Sequence, residues 1–268
     1  MPDTHTTTPS IVDDRRFGGL ARLYGVDGAA RIRAAHVVVV GIGGVGSWTV
    51  EALARSGVGR MTLIDLDHIA ESNINRQIHA LDDTVGMAKV EAMRQRIAHI
   101  NPDCVVTCID DFVEPSNWPQ LLNGAVVDAV VDACDQIKAK TAMAAWALKQ
   151  RVLFVSVGAA GGKRHAHKVD IDDLSNTSHD PLLAKLRYNL RREHGAVRDG
   201  KKMGVACVFS REPVAPPDAS CNLSNDGQSD GSLNCSGYGS VVSVTATFGQ
   251  CAAGWVLDQI SSRALPKS

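Results

Sequence analysis

The residues of this chain that could do chemistry begin with a glycine-rich turn. Residues 41–46 have the pattern GxGGxG. Glycine permits a tight turn and a close approach of the backbone to phosphate, and a helix that follows presents the positive end of its dipole. Every dinucleotide-binding domain shares such a turn, so the turn alone does not identify which nucleotide is bound. A glycine-rich turn without any binding function is the alternative. The candidate nucleotide-binding residues of the turn are Gly41, Gly43, Gly44 and Gly46.

Acids and cations beyond the turn narrow the choice of nucleotide. Asp65 is placed to accept hydrogen bonds from a ribose hydroxyl. Arg76 and Lys89 would offset the charge of a triphosphate, and Asp135 could hold Mg²⁺ through one carboxylate, so we predict these three as catalytic residues of an ATP site. Taken singly, each has the alternative of a loop cap or a surface charge. The remaining candidates for the ATP site are Asp67, Ser72, Asn73 and Asn75.

The elements that must position these residues form an alternating pattern. An apolar run predicts a buried strand over 36–40, followed by a helix over 48–56 and a second strand over 61–64. Such a βαβ unit requires a parallel sheet, and strand ends on one edge of that sheet converge on a single crevice. We therefore predict a Rossmann-like, doubly wound, mostly parallel α/β fold. The further predicted elements are helices over 87–100 and 141–150 and strands over 105–109, 129–131 and 152–157.

The chain changes character after residue 158, which predicts four regions. These are a flexible N-terminus over 1–14, an ATP-binding domain over 15–158, a basic lobe with a long irregular loop over 159–240, and a C-terminal helix over 241–268 that packs on the core.

The basic lobe is a candidate RNA-binding surface. Within it, residues 181–202 carry seven basic residues against two acidic ones and include a predicted helix over 181–193. A merely solvated face is the alternative. The candidate RNA-binding residues are Lys163, Arg164, Lys185, Arg187, Arg191, Arg192, Lys201 and Lys202.

Composition sets limits on the class of protein. The chain has 268 residues and a hydrophobic fraction of 44%, as is typical of a globular protein. Its net charge of −1 gives the molecule as a whole no electrostatic attraction to nucleic acid. Its seven cysteines form no CxxC pair, which favours reduced thiols in a cytoplasmic protein. Residues 241–260 are apolar but diluted by polar and small side chains, so we expect a buried helix and no membrane partner.

An ordered set of motifs in the first part of the chain resembles the E1-like family of ATP-dependent adenylating enzymes. The motifs are GIGGVGS, LIDLD, SNINRQ, VGMAKVE, INPD and VVDACDQ, and the likeness to the family spans residues 15–158. Within that family the chain is most similar to the tRNA threonylcarbamoyladenosine dehydratases, a likeness that covers nearly all of it. The stretches that carry this closer likeness are RFGGLARLYG, NRQIHAL, DFVEPSN, DPLLAKLR, KKMGVACVFSREP and GYGSVVSVTATFG.

The resemblance implies both a site and a reaction. Gly44 and Asp65 would bind the nucleoside, the segment 72–76 and Lys89 the phosphates, and Asp135 would help to bind Mg²⁺ and position the α-phosphate. The family fold is a homodimer whose partner completes the ATP site. The implied substrate is tRNA bearing N6-threonylcarbamoyladenosine at position 37. The threonyl carboxylate would be adenylated, and the ureido group of the same substrate would then close a ring.

Two departures from the family pattern leave questions open. Sulfur-carrier activators have paired CxxC zinc ligands, which this chain lacks. Their RYxRQ motif contributes an arginine across the dimer, but here that position is Gly19, and Arg22 is a possible substitute. Cys235 could accept sulfur or contact a sulfur-transfer protein, with an unreactive thiol as the alternative. A monovalent cation bound in the glycine-rich region is also left open.

Three other functions remain as alternatives at this point. Activation of a sulfur-carrier protein's C-terminus is the nearest, although the missing zinc ligands and the basic lobe count against it. A binding scaffold would have no need for the set Asp65, Arg76, Lys89 and Asp135. An NAD(P)-dependent oxidoreductase would leave the two cations of that set without a role, and no proton donor for a nicotinamide is visible.

Overall fold

A computed structural model describes residues 15–198, 200–218 and 238–263 of the chain. Its centre is a seven-stranded sheet with the order β3-β2-β1-β4-β5-β7-β6, in which only the β6–β7 pair is antiparallel. The predicted mostly parallel α/β fold is therefore confirmed. The strands are β1 His36–Val40, β2 Arg60–Ile64, β3 Val105–Ile109, β4 Ala129–Asp132, β5 Leu153–Val157, β6 Val169–Asp173 and β7 Ala206–Ser210.

In the described part of the chain, six α-helices cover the two faces of the sheet. Apolar side chains of α1, α2, α3 and α6 pack on one face, and those of α4 and α5 pack on the other. Alternate residues of β1 face the two layers, which explains why its VVVV run is buried throughout. The helices are α1 Gly18–Ala34, α2 Gly46–Arg55, α3 Lys89–Ile100, α4 Ile137–Gln150, α5 Pro181–Glu193 and α6 Val242–Ser262.

The sheet continues past residue 158, where the sequence predicted no further strands. β7 pairs in parallel with β5, and β6 then closes that edge of the sheet. Three of the five residues of β6 are aspartates, which is common in an edge strand. Because the strand is not an apolar run, the sequence pattern did not predict it. Part of the predicted basic lobe thus belongs to the central sheet.

Two helices, α1 and α4, differ from the prediction by more than two residues at their start. α1 was not predicted, because it is kinked at Gly25 (φ +76°) and lacks a clear apolar stripe. α4 begins at Ile137, four residues before its predicted start. The prediction missed the start because Lys140 carries a charge, although its side chain is fully buried in the first turns of the helix.

The C-terminal helix α6 packs against α2 and α1. It buries an apolar face that includes Phe248, Ala252 and Val256. Among the residues that the structure describes, no helix has both the length and the apolarity needed to cross a membrane. Because α6 covers the helix that follows the glycine-rich turn, it is part of the support for the site.

Candidate functional site

A cleft of about 310 Å³ opens where β1, β2, β3, β4 and β5 reach their carboxyl ends. The switch in strand order beside β1 makes this the usual position for a ligand in a doubly wound sheet. Nine of the predicted ATP-site residues line it: Gly41, Gly43, Gly44, Asp65, Asp67, Asn73, Arg76, Lys89 and Asp135. Residues that are scattered over nearly a hundred positions therefore meet in one space.

The glycine-rich turn needs glycine at Gly41 and Gly46 for different reasons. Gly41 has φ +83°, and a Cβ there would lie 2.8 Å from the backbone nitrogen of Cys134. A Cβ on Gly46 would lie 1.7 Å from the carbonyl oxygen of Gly41. Gly46 does not line the cleft, so its predicted contact with the nucleotide becomes a role in folding the turn.

Asp65 joins the turn to the end of β2. Its buried carboxylate accepts hydrogen bonds from the backbone nitrogens of Ile42 at 2.5 Å and Asp67 at 2.9 Å. Burial raises the pKa of Asp65, while the nearby Lys89 and the two backbone donors oppose that rise. The carboxylate can accept further hydrogen bonds, as a ribose-binding residue must.

Lys89 begins α3 and is only 6% exposed. Its ammonium donates to the Asp67 carboxylate at 2.5 Å, and its backbone nitrogen donates to the Asp67 carbonyl oxygen at 3.0 Å. An ammonium group has three donors, so this ion pair holds the head group at the cleft and leaves capacity for a phosphate oxygen.

Arg76 is held by the residues around it. Its guanidinium donates to the Ser72 carbonyl oxygen at 2.8 Å and to the Asn75 side-chain oxygen at 3.0 Å. Trp48 donates from its indole nitrogen to the Arg76 carbonyl oxygen at 3.0 Å. Partial burial lowers the pKa of Arg76 from its ordinary value. Ser72 and Asn75 do not line the cleft, so both orient the arginine.

A buried network lies beneath the segment that carries Asp135. Asp132 and Lys140 are fully buried and form an ion pair at 3.0 Å, and Ser156 donates to the same carboxylate at 2.7 Å. Lys140 also donates to the Val157 carbonyl oxygen at 2.8 Å. The network joins the ends of β4 and β5, and so anchors the stretch from which Asp135 faces the cleft.

The donor set of the cleft suits Mg²⁺ shared with a nucleotide. No group of three or more His, Cys, Asp or Glu that could enclose a metal occurs within the described part of the chain. Mg²⁺ in nucleotide sites is commonly held by one or two carboxylates together with phosphate oxygens. Asp135 lines the cleft and offers one such carboxylate.

Several residues that line the cleft were not predicted. Asp111 and Phe112 follow the carboxyl end of β3, so the rule that strand ends converge would have found them. Thr245 comes from α6, and no local pattern signals its approach. The other residues missed by the prediction include Gln77, Val113, Gly158, Ala159, Ala160, Gly161, Leu182 and Ser240.

The predicted RNA-binding residues divide into buried and exposed groups. Lys163 is 2% exposed and donates to two backbone carbonyl oxygens, so its predicted place on the surface is wrong. Arg187 is half-buried and donates to the carbonyl oxygens of Leu174 at 2.9 Å and Thr177 at 3.1 Å, so its guanidinium is engaged inside the protein. Exposed side chains remain at Arg164, Lys185, Arg192, Lys201 and Lys202, and Arg191 is half-buried.

A larger hollow of about 630 Å³ lies elsewhere, beside α3 and the start of α1. It contains none of the residues that follow β1, β2, β4 or β5 directly. The Glu51 carboxylate is paired with two of its arginines, Arg55 at 2.7 Å and Arg96 at 2.6 Å. The smaller cleft, where the acids, cations and glycines converge, is therefore the candidate nucleotide site.

Comparison with known proteins identifies the family to which the chain belongs. The model of the ThiF family matches residues 17–268. This chain belongs to the ThiF family. The E1-like resemblance of the sequence is thus confirmed, and the cleft lies in the part of the chain that the family model matches.

Individual relatives differ in their sequence identity to this ThiF-family chain and in the fraction of it that they cover. The tRNA threonylcarbamoyladenosine dehydratase of Escherichia coli is 44% identical over 255 residues, which cover 93% of this chain and 95% of that protein. A crystal structure of the E. coli tRNA N6-threonylcarbamoyladenosine dehydratase in complex with ATP covers 95% of this chain and 97% of that chain at 43% identity, with a TM-score of 0.83. The E. coli molybdopterin-synthase adenylyltransferase is 33% identical over 141 residues, 53% of this chain and 55% of that protein.

Cys235, the predicted partner-contacting or sulfur-accepting cysteine, lies outside the described residues. Within the described part of the chain, Cys134 lines the cleft. Burial raises its pKa well above the ordinary thiol value, and the neighbouring carboxylate of Asp132 raises it further. A thiol of this kind is a poor nucleophile near neutral pH.

Proposed function

We propose that this protein dehydrates N6-threonylcarbamoyladenosine at position 37 of tRNA to its cyclic form, with ATP as the activating substrate. The observation that carries the proposal is the extent of the likeness to the E. coli dehydratase. That likeness covers nearly the whole chain, whereas the likeness to the molybdopterin-synthase adenylyltransferase covers about half. The sulfur-carrier alternative is disfavoured for the same reason.

The proposed reaction has two steps. An oxygen of the threonyl carboxylate attacks the α-phosphorus of ATP, and the bond from that phosphorus to the bridging oxygen breaks, releasing pyrophosphate. The ureido group of the same nucleoside then attacks the activated carbonyl carbon, loses a proton and expels AMP. Proximity accelerates the second step because nucleophile and electrophile belong to one molecule. The net change in the nucleoside is the loss of one water, and no cysteine takes part.

Each cleft residue has a role in the first step. Asp65 accepts hydrogen bonds from the ribose, and Gly44 allows the backbone to approach the nucleotide. Arg76 and Lys89 offset the charge of the phosphates, which increases on the leaving pyrophosphate as its bond breaks. The ion pair of Lys89 with Asp67 and the contacts of Arg76 with Ser72 and Asn75 support these roles, because they hold both cations at the cleft before ATP binds.

Mg²⁺ would be held by Asp135 together with phosphate oxygens, and it would neutralise charge on the triphosphate. The support for this role is that the Asp135 carboxylate lines the cleft and that Mg²⁺ in nucleotide sites needs few protein ligands. A monovalent cation bound in the glycine-rich region is a further part of the proposal.

The tRNA is proposed to bind along α5 and the segment that follows it. Lys185, Arg192, Lys201 and Lys202 are exposed there, and Arg164 is exposed nearby. Tyr188 is 51% exposed, with the Lys185 ammonium and the Arg192 guanidinium each 5.3 Å from its ring centre. Such cations contact phosphates, and an exposed ring can stack on an unpaired base. Leu182, near the start of α5, lines the cleft and so links this surface to the site.

We further propose a homodimer in the cytoplasm, with Arg22 as the residue that crosses to the partner's ATP site. Arg22 is exposed on α1, next to Leu23 and near Val26, which are 73% and 52% exposed. Large apolar side chains at such exposure favour an interface. Size-exclusion chromatography with light scattering tests the dimer.

A sulfur-transfer protein that binds at Cys235 is a further part of the proposal.

An acceptor-dependent pyrophosphate assay tests the function. Pure protein, ATP and Mg²⁺ are incubated with threonylcarbamoyladenosine-modified tRNA, with the same tRNA lacking the modification, with a sulfur-carrier peptide ending in glycine, or with no acceptor. We expect pyrophosphate release only with the modified tRNA, together with one AMP and one cyclised nucleoside per turnover. Turnover only with the carrier peptide would reject the proposed substrate.

A further inference from the structure

The loop over residues 158–164, which we name the acceptor wall, follows β5 and lines one side of the cleft. Its first four residues, Gly158 to Gly161, face the cleft and carry no charged side chain. The charged residues Asp65, Arg76 and Lys89 come from the elements that surround the glycine-rich turn. ATP uses those charges, Asp65 at the ribose and the two cations at the phosphates, so the uncharged wall is better suited to the second substrate.

Lys163 holds the acceptor wall from behind. The residue is 2% exposed, and its ammonium donates to the carbonyl oxygen of His179 at 2.9 Å and to that of Glu212. Burial lowers the pKa of Lys163, and the nearby carboxylates of Asp180 and Glu212 oppose that shift and favour the charged form. His179 has φ +54°, a left-handed conformation that persists in a non-glycine residue only when its surroundings hold it. The ammonium thus joins three separate segments of the chain.

Two buried carboxylates complete the attachment of the wall. Asp180 accepts from the Ala159 nitrogen at 2.8 Å with one oxygen and from the Leu183 nitrogen at 3.0 Å with the other. Glu212 accepts from the nitrogens of Arg164 at 3.0 Å and His165 at 2.9 Å. Asp180 is also the N-cap of α5, so the same carboxylate holds both the cleft wall and the start of the basic helix.

The packing against Asp180 leaves no freedom at the start of the wall. A Cβ on Gly158 would lie 2.0 Å from an Asp180 carboxylate oxygen. At the other end, Gly162 has φ +69°, and a Cβ there would lie 2.7 Å from a methyl carbon of Val214. Both glycines are therefore required by the fit of the wall onto Asp180 and the segment after β7, independently of any nucleotide.

We propose that the acceptor wall receives the carboxylate substrate, and that Lys163 is a positioning residue that fixes the wall and, with Asp180, sets its place relative to α5. The inference rests on the proposed function, because it names the side of the cleft that the tRNA nucleoside occupies. Lys163 does not touch the reacting atoms. Its loss would therefore displace the acceptor and leave the ATP subsite largely intact.

The test separates the two substrates of one reaction. Lys163→Ala is compared with the wild type for the dissociation constant of ATP, measured by equilibrium binding, and for kcat and KM with modified tRNA. We expect the ATP affinity to stay within about twofold of the wild type. We expect kcat/KM for tRNA to fall at least about tenfold, because the acceptor would be displaced from its reactive position. Propylammonium, which can enter the space left by the side chain, should restore part of the rate, whereas tetramethylammonium at equal ionic strength should not. Lys149→Ala, an exposed lysine near the end of α4, is the matched control and should leave the ATP affinity and the tRNA kinetics unchanged.

Asp180→Asn keeps the inference testable should Lys163→Ala fail to fold. The asparagine oxygen can still cap α5, but its amide group cannot accept from the Ala159 nitrogen. The same selective loss with tRNA is expected. An ATP dissociation constant that rises as much as the tRNA kcat/KM falls, or wild-type kinetics in both variants, would overturn the assignment. A failure of the proposed function is distinct, because the wild type itself would then release no pyrophosphate with modified tRNA.

Discussion

Lys89 shows how a charged side chain can be buried at a cleft and still be available to a ligand. Its ammonium is paired with Asp67, whose side chain is about half exposed, so the pair opens toward solvent on one side only. Solvent weakens such a pair, and its contribution to folding is small. The pair fixes the position of the ammonium, which under the proposed function would bind phosphate without first searching among rotamers.

Replacing Lys89 with methionine should reduce catalysis far more than stability. Removing a charge-assisted hydrogen bond costs about 1.5–3 kcal/mol, which corresponds to a loss of about ten- to a hundredfold in kcat/KM for ATP. Initial rates of pyrophosphate release over a range of ATP concentrations measure the loss. Lys149→Met is the matched control, because Lys149 is exposed near the end of α4. Full activity of Lys89→Met would contradict the phosphate-binding role.

His79 links the glycine-rich turn to the stability of the protein in acid. It is 2% exposed, its Nε2 lies 2.9 Å from the Ile42 carbonyl oxygen, and burial lowers its pKa to about 4. An exposed histidine titrates near pH 6.5, so the unfolded chain binds the proton more tightly than the folded protein does. The stability that neutral His79 contributes is therefore complete above pH 6.5 and is lost as the pH falls toward 4.

A His79→Gln variant should lack this acid dependence. Between pH 7.5 and 4.5 the wild type should lose about 2–3 kcal/mol more of its free energy of unfolding than the variant loses, because a tenfold difference in proton affinity between the folded and unfolded chains corresponds to about 1.4 kcal/mol. Urea unfolding at a series of pH values measures both proteins. His167→Gln, at an exposed histidine, should follow the wild type. Parallel curves for the wild type and His79→Gln would show that His79 is not the responsible group.

At the scale of elements, α6 supports the site through its contact with α2. Thr245, near the start of α6, lines the cleft and donates to the Arg76 carbonyl oxygen at 3.4 Å. One turn further along, Gly249 lies against α2: a Cβ there would be 2.5 Å from the Val45 carbonyl oxygen and 2.8 Å from the Trp48 Cβ. The two helices can approach this closely only because position 249 has no side chain.

Gly249→Ala should therefore destabilise the protein although alanine favours helices. Overpacking at a close helix contact costs about 1–3 kcal/mol, which exceeds the gain in helix propensity of about 1 kcal/mol. Gly254 supplies the control within the same helix, because a Cβ there meets nothing within 4 Å. Gly254→Ala should stabilise the protein by up to about 1 kcal/mol. Chemical unfolding of both variants measures the difference, and a shift of the same sign in both would contradict the proposed contact.

At the scale of the whole molecule, charge is distributed locally. The formal net charge is −1, so attraction to RNA must come from a patch and not from the protein as a whole. We propose that the exposed cations of α5 and of the segment after it are that patch; Leu182 of the same helix lines the cleft. Binding that depends on a patch should respond to salt in proportion to the number of phosphates that the protein binds.

Reversing two charges of the patch tests this distribution. Lys201→Glu with Lys202→Glu should weaken tRNA binding and reduce the slope of log affinity against log salt by about 0.7–0.9 for each phosphate that the variant no longer binds. Arg60→Glu with Lys149→Glu makes the same change in net charge at exposed positions away from the patch. Filter binding over a series of salt concentrations measures both double variants, and ATP affinity should be unchanged. Equal weakening in the two proteins would indicate an effect of net charge alone.

Much of the frame that carries the site was predictable from local pattern. The strand at His36–Val40 and the helix at Pro181–Glu193 were predicted at the bounds that the structure has. The strand is a continuous apolar run, and the helix starts with an aspartate cap followed by proline. Asp65, Arg76, Lys89 and Asp135 could be grouped because parallel strands end at one edge of a sheet, and all four line one cleft.

The amino-acid sequence by itself thus determined the βαβ frame, the family and the residues that follow the strand ends, because each depends on a periodicity or a motif within a short stretch. Tertiary structure decided that Lys163 is buried beneath the cleft wall, that β6 and β7 extend the sheet, and that Thr245 reaches the nucleotide cleft. The physical reason is that burial and pairing depend on segments far apart in the chain. A lysine next to arginine and histidine resembles a surface cation until the carbonyl oxygens that surround it are known.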